Sequence, residues 1–212
     1  MRQARHWRLS SKARQDQRGF TIVELLIATM VFSVVLLLVT AGILQVSRVY
    51  YRGVTETNTQ NVARSVLDSV SQAIQFSGGP ITVTTPSAPG AQAFFCVGAQ
   101  QFVYYLGYEL VDGTAGANQT NHSLVQQSFS GSCSAPASLT GRDLLSPKMR
   151  LSDLTVSKIG TDLYQVHVRI VYGDDAILMN PTTTTAACQT QLAGTQFCAV
   201  SDLTTVVTKR VQ

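Results

Sequence analysis

The side chains best suited to metal or redox chemistry in this sequence are four cysteines, and their spacing favours disulfide bonds over a metal site. Zinc sites use closely spaced cysteine and histidine pairs, and the sequence contains no Cys-x-x-Cys pair. An even number of cysteines is typical of disulfide-bonded proteins, and four cysteines allow three pairings. Proximity along the chain favours joining Cys96 to Cys133 and Cys188 to Cys198. We therefore expect two disulfides and no metal site.

Side chains arranged for enzymatic chemistry are not evident. The histidines are His6, His122 and His167. The sequence has no Gly-x-Ser-x-Gly nucleophile motif, no phosphate-binding glycine loop and no His-Glu-x-x-His motif. Position 122 falls in a polar turn region and position 167 on the polar face of a predicted strand, so we expect solvated side chains at both. Asp174 and Asp175 could offer oxygen ligands to calcium, although two carboxylates in a turn are usually part of the turn alone. We expect no catalytic residue, no cofactor and no enzymatic activity.

One long apolar segment separates this chain from ordinary soluble proteins. The chain has 212 residues, of which 45% are hydrophobic and 13% charged. Between Phe20 and Val46, 20 of 27 residues are apolar and Glu24 alone is charged. As a helix at ~1.5 Å per residue this segment is about 40 Å long, more than the ~30 Å hydrocarbon core of a bilayer. A single span of this kind argues against a cytosolic globular enzyme and against a polytopic transporter.

The basic character of the chain is concentrated before this segment. The formal net charge is +4, but residues 1–19 hold six basic residues and one acidic residue. Ten basic and eleven acidic residues make up the charges of residues 20–212. A positive stretch ahead of an apolar span holds the N-terminus in the cytoplasm. The charge therefore indicates membrane topology, and nucleic acid is an unlikely partner.

Three residues at the start of the apolar segment suggest more than a simple anchor. Gly19 lies between the charged and apolar parts, where a residue without a side chain can enter a protease cleft. A carboxylate at membrane depth, as at Glu24, costs at least ~2.5 kcal/mol and calls for a partner. Cleavage after Gly19 would expose the amino group of Phe20, which could pair with Glu24 of a neighbouring subunit.

The run Arg18-Gly19-Phe20-Thr21-Ile22-Val23-Glu24-Leu25-Leu26-Ile27-Ala28 resembles the N-terminal signature of type IV prepilins and type II secretion pseudopilins. The resemblance covers residues 18–46. It implies that a prepilin peptidase cuts after Gly19 and methylates Phe20, and that Glu24 is the carboxylate that supports subunit assembly. Many major pilins have a proline about twenty residues into the mature chain; this segment has none, only Gly42.

The same resemblance implies an α+β pilin-like fold, in which a long N-terminal helix with a transmembrane inner half packs against an antiparallel sheet. Its implied partners are other pilin or pseudopilin subunits, the prepilin peptidase, an inner-membrane assembly platform and, before assembly, membrane lipid. The implied location is the cytoplasmic membrane, with the N-terminus inside and the C-terminal domain outside, and then a periplasmic or extracellular filament. It also implies that the loop closed by Cys188 and Cys198 is an exposed, variable region used for subunit contacts or adhesion.

The chain is expected to have four parts. The resemblance implies a leader at 1–19 that is removed and a membrane and assembly half of the helix at 20–46, and periodicity adds an amphipathic outer half of the helix at 47–77 and a β-rich head at 78–212. Val62, Val66, Val70 and Ile74 recur every four residues beside Ala63 and Leu67 and predict one apolar helical face. The stretch 50–59, which contains Gly53, is the weakest part of the predicted helix and a possible site of a kink. Candidate strands lie at 81–85, 102–110, 124–129, 149–156, 164–172 and 203–211.

Alternation in the head predicts which tyrosines are buried. In the run from Val103 to Tyr108, we expect Tyr104 and Tyr108 to face the core and Tyr105 to face outward. Such tyrosines could also form a stacking platform for sugar or DNA, but core packing is favoured. The head is expected to form one antiparallel sheet of four to six strands over the helix.

The sequence as a whole favours a filament subunit, and within that class a minor pilin or a pseudopilin, because the head is large and its loops are irregular. The strand order loosely resembles that of larger minor pilins and the J-type pseudopilin. A major pilin, or a tip subunit for adhesion or DNA uptake on the same helix, is the alternative. A membrane-anchored exoenzyme would leave Gly19 and Glu24 unexplained. The filament expected is a type IV pilus or a related type II secretion or competence filament.

Overall fold

The computed structural model describes residues 19–83, 92–109, 123–190 and 194–210. The basic leader up to Arg18, His122, and the ends of three predicted strands at 84–85, 110 and 211 lie outside these residues. The chain divides into two compact units, residues 1–45 and 46–212.

A helix, α1, begins at Ile22 and ends at Phe76. It passes through Gly42 and Gly53 without interruption, and a kink near Gly53 stays a prediction. The hydroxyls of Thr55 and Thr57 each donate a hydrogen bond to the backbone carbonyl four residues earlier, at 2.9 and 2.8 Å. These bonds satisfy the polar side chains within the helix itself.

The head contains ten β-strands among the described residues, and every strand pairing is antiparallel. They are β1 (Ile81–Val83), β2 (Gln92–Val97), β3 (Gln100–Tyr105), β4 (Leu124–Ser128), β5 (Arg142–Asp143), β6 (Met149–Lys158), β7 (Leu163–Tyr172), β8 (Leu178–Met179), β9 (Ala187–Cys188) and β10 (Ala199–Thr208). One sheet has the order β1-β2-β3-β4-β5, a second has the order β10-β7-β6, and β8 pairs with β9. An isolated bridge between Glu109 and Arg150 lies outside the named strands.

The outer half of α1 buries the face that the four-residue repeat predicts. Its buried residues are Thr59, Ala63, Val66, Leu67, Val70 and Ile74. The five apolar ones belong to one core with side chains of both large sheets, such as Phe95, Phe102, Leu151 and Val168. The rings of Phe95 and Phe102 stack in this core with centroids 4.7 Å apart. The arrangement is the α+β, pilin-like fold expected: a long N-terminal helix with antiparallel sheets.

The expectation of one sheet over the helix was wrong, because the strands form two large sheets and a short pair. Strand β2 was also missed. Its burial is continuous from Phe95 to Val97, since the strand pairs with β1 and β3 on its two sides and packs into the core. A strand of this kind lacks the alternation of polar and apolar residues on which the strand assignments depended.

Candidate assembly site

The residues of the predicted cleavage site precede the first turn of α1. Gly19 and Phe20 lie before Ile22, where the helix begins, and both are exposed. A Cβ atom added to Gly19 would meet no atom within 4 Å. The junction between Gly19 and Phe20 therefore lies in non-helical chain with open space around it, as a protease substrate requires.

Glu24 lies in the first turn of α1, where Thr21 caps the helix. The hydroxyl oxygen of Thr21 accepts the backbone N–H of Glu24 at 3.2 Å, and the carbonyl of Thr21 accepts the N–H of Leu25 at 3.1 Å. Thr-x-x-Glu is the sequence of a capping box, a signal that the sequence reasoning overlooked. A carboxylate in the first turn is also favoured by the positive end of the helix dipole. The carboxylate of Glu24 thus lies at a favourable position in the helix, in addition to any role in assembly.

The apolar side chains that follow are left exposed by the residues that the structure describes. Those from Phe20 to Val46, with few exceptions, are at least half exposed. In the described residues α1 is the one helix that is long and apolar enough to cross a membrane, and none of its most apolar window is buried. Such a surface needs lipid or other helices around it.

The polar side chains of this segment are compatible with a bilayer. The hydroxyls of Thr29, Ser33 and Thr40 donate to the carbonyls of Leu26, Thr29 and Leu36, at 3.0, 2.7 and 2.8 Å. Each hydroxyl is therefore satisfied inside its own helix, as the absence of water in a bilayer core demands.

A comparison with protein families matches this region. The family described as "Prokaryotic N-terminal methylation motif" matches residues 14–40. The chain carries a type IV prepilin signature. No curated protein and no solved structure matches the chain. The signature supports a pilin-like structural subunit over an enzyme, and it implies processing by a peptidase and assembly with other pilin subunits. Together with the apolar helix, it indicates anchoring in a membrane.

The head is crosslinked by two disulfides, and they are the pairs that proximity along the sequence favours. Cys96 of β2 is joined to Cys133 in the loop after β4, with Cα atoms 6.0 Å apart. Cys188 of β9 is joined to Cys198 before β10, with Cα atoms 5.7 Å apart. The side chain of Gln101 on β3 donates to the carbonyl of Ser134 at 2.6 Å, which holds the first loop against the sheet.

Arg150 of β6 forms a buried charge cluster that the sequence did not indicate. Its side chain is 2% exposed and donates to Asp175 at 2.6 Å, to Glu109 at 3.2 Å and to the carbonyl of Gly173 at 3.1 Å. Asp174 lies 3.5 Å from Lys148. Both carboxylates of the candidate calcium turn thus contact cationic side chains. Within the described residues, no group of three or more His, Cys, Asp or Glu side chains could hold a metal ion.

A cavity of about 420 Å³ lies beside this cluster and is lined in part by Tyr108, Glu109, Arg150, Asp175 and Thr182. Gly107, which also lines it, has a φ of +80°, and a Cβ there would come within 2.5 Å of Thr182 Cα. Glycine is required at this position on both grounds.

The expectation for the tyrosines was correct for Tyr104 and wrong for the other two. Tyr104 is buried, and its hydroxyl donates to the carbonyl of Leu154 at 3.4 Å. Burial, with the nearby carboxylate of Asp153, raises the pKa of Tyr104 to about 12. Tyr105 is also buried, whereas Tyr108 is exposed at the cavity. The strand ends at Tyr105, so the alternation does not continue to position 108.

His167 is part of an ionic network and not a simple solvated residue. Its Nδ1 lies 3.1 Å from Asp153 and its Nε2 lies 2.7 Å from Asp202. Arg169 donates to Asp202 at 2.9 Å and to the carbonyl of Ala186 at 3.0 Å. Burial alone would raise the pKa of Asp202, but the hydrogen bonds and charges of His167 and Arg169 together lower it. The network joins β6, β7 and β10 across the sheet.

Proposed function

We propose that this protein is a structural subunit of a type IV pilus or a related secretion or competence filament, cleaved after Gly19 and methylated at Phe20. The observation that carries the proposal is the prepilin signature at an exposed, non-helical junction ahead of an uncovered apolar helix. Residues 1–19 are the leader that the peptidase removes. Residues 20–46 anchor the subunit in the cytoplasmic membrane and later pack against other subunits.

Glu24 is the assembly carboxylate in this proposal. Its partner is the amino group that cleavage creates on Phe20 of a neighbouring subunit. Low dielectric among packed helices strengthens such a pair. The first turn of α1 presents Glu24 on an exposed surface that other helices can approach.

Within this class, we favour a minor pilin or pseudopilin. The head of residues 78–212 carries two disulfide-bounded loops and an open cavity, features that suit specific contacts at particular positions in a filament. The cavity has two carboxylates against one guanidinium. The net negative charge of these groups would repel a polyanion such as DNA, so the cavity gives no support to a DNA-uptake subunit.

Processing tests the proposal directly. Trp7 is the one tryptophan of the sequence, so cleavage after Gly19 removes all tryptophan emission and lowers the mass by residues 1–19. Coexpression with a prepilin peptidase should yield this product from the native chain and leave Gly19→Arg uncut in the membrane. Since a side chain at position 19 meets open space, the variant should fold normally, and unchanged disulfides would be the control. Tryptophan retained in protein from filaments would contradict the proposal.

A further inference from the structure

The residues that follow the membrane segment form an exposed apolar surface on α1. It consists of Val46, Val49, Tyr50, Tyr51 and Val54, together with Phe197, and is called here the juxtamembrane patch. Each of these side chains is exposed. They begin where the apolar run of residues 20–46 ends, although the helix here belongs to the same compact unit as the head.

Phe197 joins the patch from the other end of the chain. It ends a 3-10 turn, Thr195–Phe197, inside the loop closed by Cys188 and Cys198. Its ring centroid lies 5.5 Å from that of Tyr51. Tyr50 and Tyr51 are themselves in edge contact, with centroids 5.9 Å apart. Three aromatic rings from two distant segments thus form one continuous surface.

Two arginines flank these rings. Arg48 is exposed and forms no ion pair with any residue that the structure describes. Arg52 is 2.8 Å from Glu56 on the exposed surface of the helix. Exposed pairs of this kind are weak, so both guanidinium groups can reach phosphate.

We propose that the juxtamembrane patch and these two arginines bind phospholipid headgroups at the outer surface of the cytoplasmic membrane before the subunit is assembled. The inference rests on the proposed membrane-anchored subunit. Tyrosine is enriched at membrane–water interfaces because its ring is apolar and its hydroxyl is polar. Arginine near the end of a membrane helix extends its charge to the phosphates while its stem remains in apolar surroundings.

The particular consequence concerns the C-terminal disulfide loop. Because Phe197 contacts Tyr51, the turn Thr195–Phe197 lies at the same level as the rings of α1 and enters the interface with them. This turn therefore fixes the head to the membrane surface, in addition to the anchoring by residues 20–46. Lipid and neighbouring subunits then compete for the same apolar surface when the subunit enters a filament.

Fluorescence quenching by brominated phospholipid tests this placement in the full chain. Trp7→Phe provides a tryptophan-free background, in which Phe197→Trp or Tyr51→Trp introduces one reporter. Ile159→Trp is the matched control, since Ile159 is 50% exposed and Phe197 is 44% exposed.

The control position lies far from the patch. The pairing of β10 with β7 runs from Ala199 opposite Tyr172 to Thr208 opposite Leu163. Ile159 donates to the carbonyl of Leu163, so it lies at the far end of β7 from Phe197, about 30 Å away.

We expect quenching of Phe197→Trp and Tyr51→Trp to be at least about twofold greater than that of Ile159→Trp in vesicles of zwitterionic and anionic phospholipid. Replacing Arg48 and Arg52 by glutamine should reduce the difference in anionic vesicles. Equal quenching at positions 197 and 159 in protein that floats with the vesicles would overturn the inference and leave membrane anchoring intact. If the tryptophan emission of Phe197→Trp is shifted to the blue but is not quenched, the patch is covered by a second copy of the chain. That result would also overturn the inference. Failure to float would overturn the anchoring and the patch together.

Discussion

The hydroxyl of Thr21 accepts a hydrogen bond from the backbone N–H of Glu24, at 3.2 Å. This bond satisfies one of the N–H groups that the first turn of a helix leaves without an intrahelical partner. It places Glu24 three residues after the cap, where glutamate and glutamine are both favourable. Replacement of Glu24 by an apolar residue removes a side chain suited to this position of the helix as well as the charge. A test of assembly has to separate the two effects.

Glu24→Gln and Thr21→Val separate charge from capping. Glu24→Gln keeps a residue suited to the capping box and removes the charge that would pair with the Phe20 amine. We expect it to be inserted and cleaved normally but to enter filaments poorly beside native copies. Thr21→Val should lose about 1 kcal/mol of cap stabilisation and retain the native ratio of filament to membrane-pool protein. Glu24→Asp, with a shorter reach, should be intermediate, whereas a native ratio for Glu24→Gln would exclude Glu24 as the assembly carboxylate.

Helix α1 could be predicted almost completely, because its signals are local. The limits of α1 and its buried face follow from the apolar run and the four-residue repeat. The cap at Thr21 could have been recognised from Thr-x-x-Glu.

The head could be predicted only where one strand alternates by itself. Strand β7 was found because its burial alternates over most of its length, whereas β2 is buried continuously at its end. The charge networks depend on register between strands. Asp153, Arg169 and Asp202 are directly opposite one another across β6, β7 and β10, and this register is not visible in separate segments of sequence.

The two disulfides should differ in how much they stabilise the head. By loop-closure entropy, Cys96–Cys133 contributes about 4 kcal/mol and Cys188–Cys198 about 3 kcal/mol. The double variant Cys96→Ala/Cys133→Ala should also lose contacts in the core, because Cys96 is buried. Chemical denaturation of each double variant measures the free energy of unfolding. Non-reducing peptide mapping of exported protein should recover both pairs, and four free thiols there would contradict the assignment.

Arg150→Met should destabilise the head by roughly 2–3 kcal/mol, because it leaves Glu109 and the Gly173 carbonyl without their buried donor. Asp175→Asn is the comparison: it removes one charge of the same cluster, but the Asp175 side chain is 74% exposed and water can replace the contact. We expect its cost to stay below about 1 kcal/mol. Urea denaturation of both variants gives the free energies of unfolding. Equal costs would show that burial of the guanidinium does not determine the strength of this cluster.

The lowered pKa of Asp202 predicts an acid-dependent contribution to stability. His167 and Arg169 hold this carboxylate ionised in the folded protein below its ordinary pKa of 3.8. As the pH falls, Asp202 therefore becomes protonated in the unfolded chain before it does in the folded protein. The stabilisation is fully present above the ordinary pKa and is lost as the pH falls through the pKa of the folded protein. The native protein should exceed Asp202→Asn in free energy of unfolding at pH 7, and the difference should vanish in acid. Because the side chain is 46% exposed, solvent screening limits that difference to about 1 kcal/mol.

Asp174→Asn serves as the control for this acid dependence, since Asp174 contacts Lys148 at 3.5 Å on the exposed surface and has no hydrogen bond from His167 or Arg169. Its difference from the native protein at pH 7 should be smaller than that of Asp202→Asn. High salt should reduce the Asp202 difference at pH 7, because the network is only partly shielded from solvent. Denaturation curves collected from pH 7 to pH 2 measure all three proteins. A difference between native protein and Asp202→Asn that persists unchanged in acid would show that the variant acts through packing, and that the charge network between β6, β7 and β10 does not hold the Asp202 carboxylate ionised.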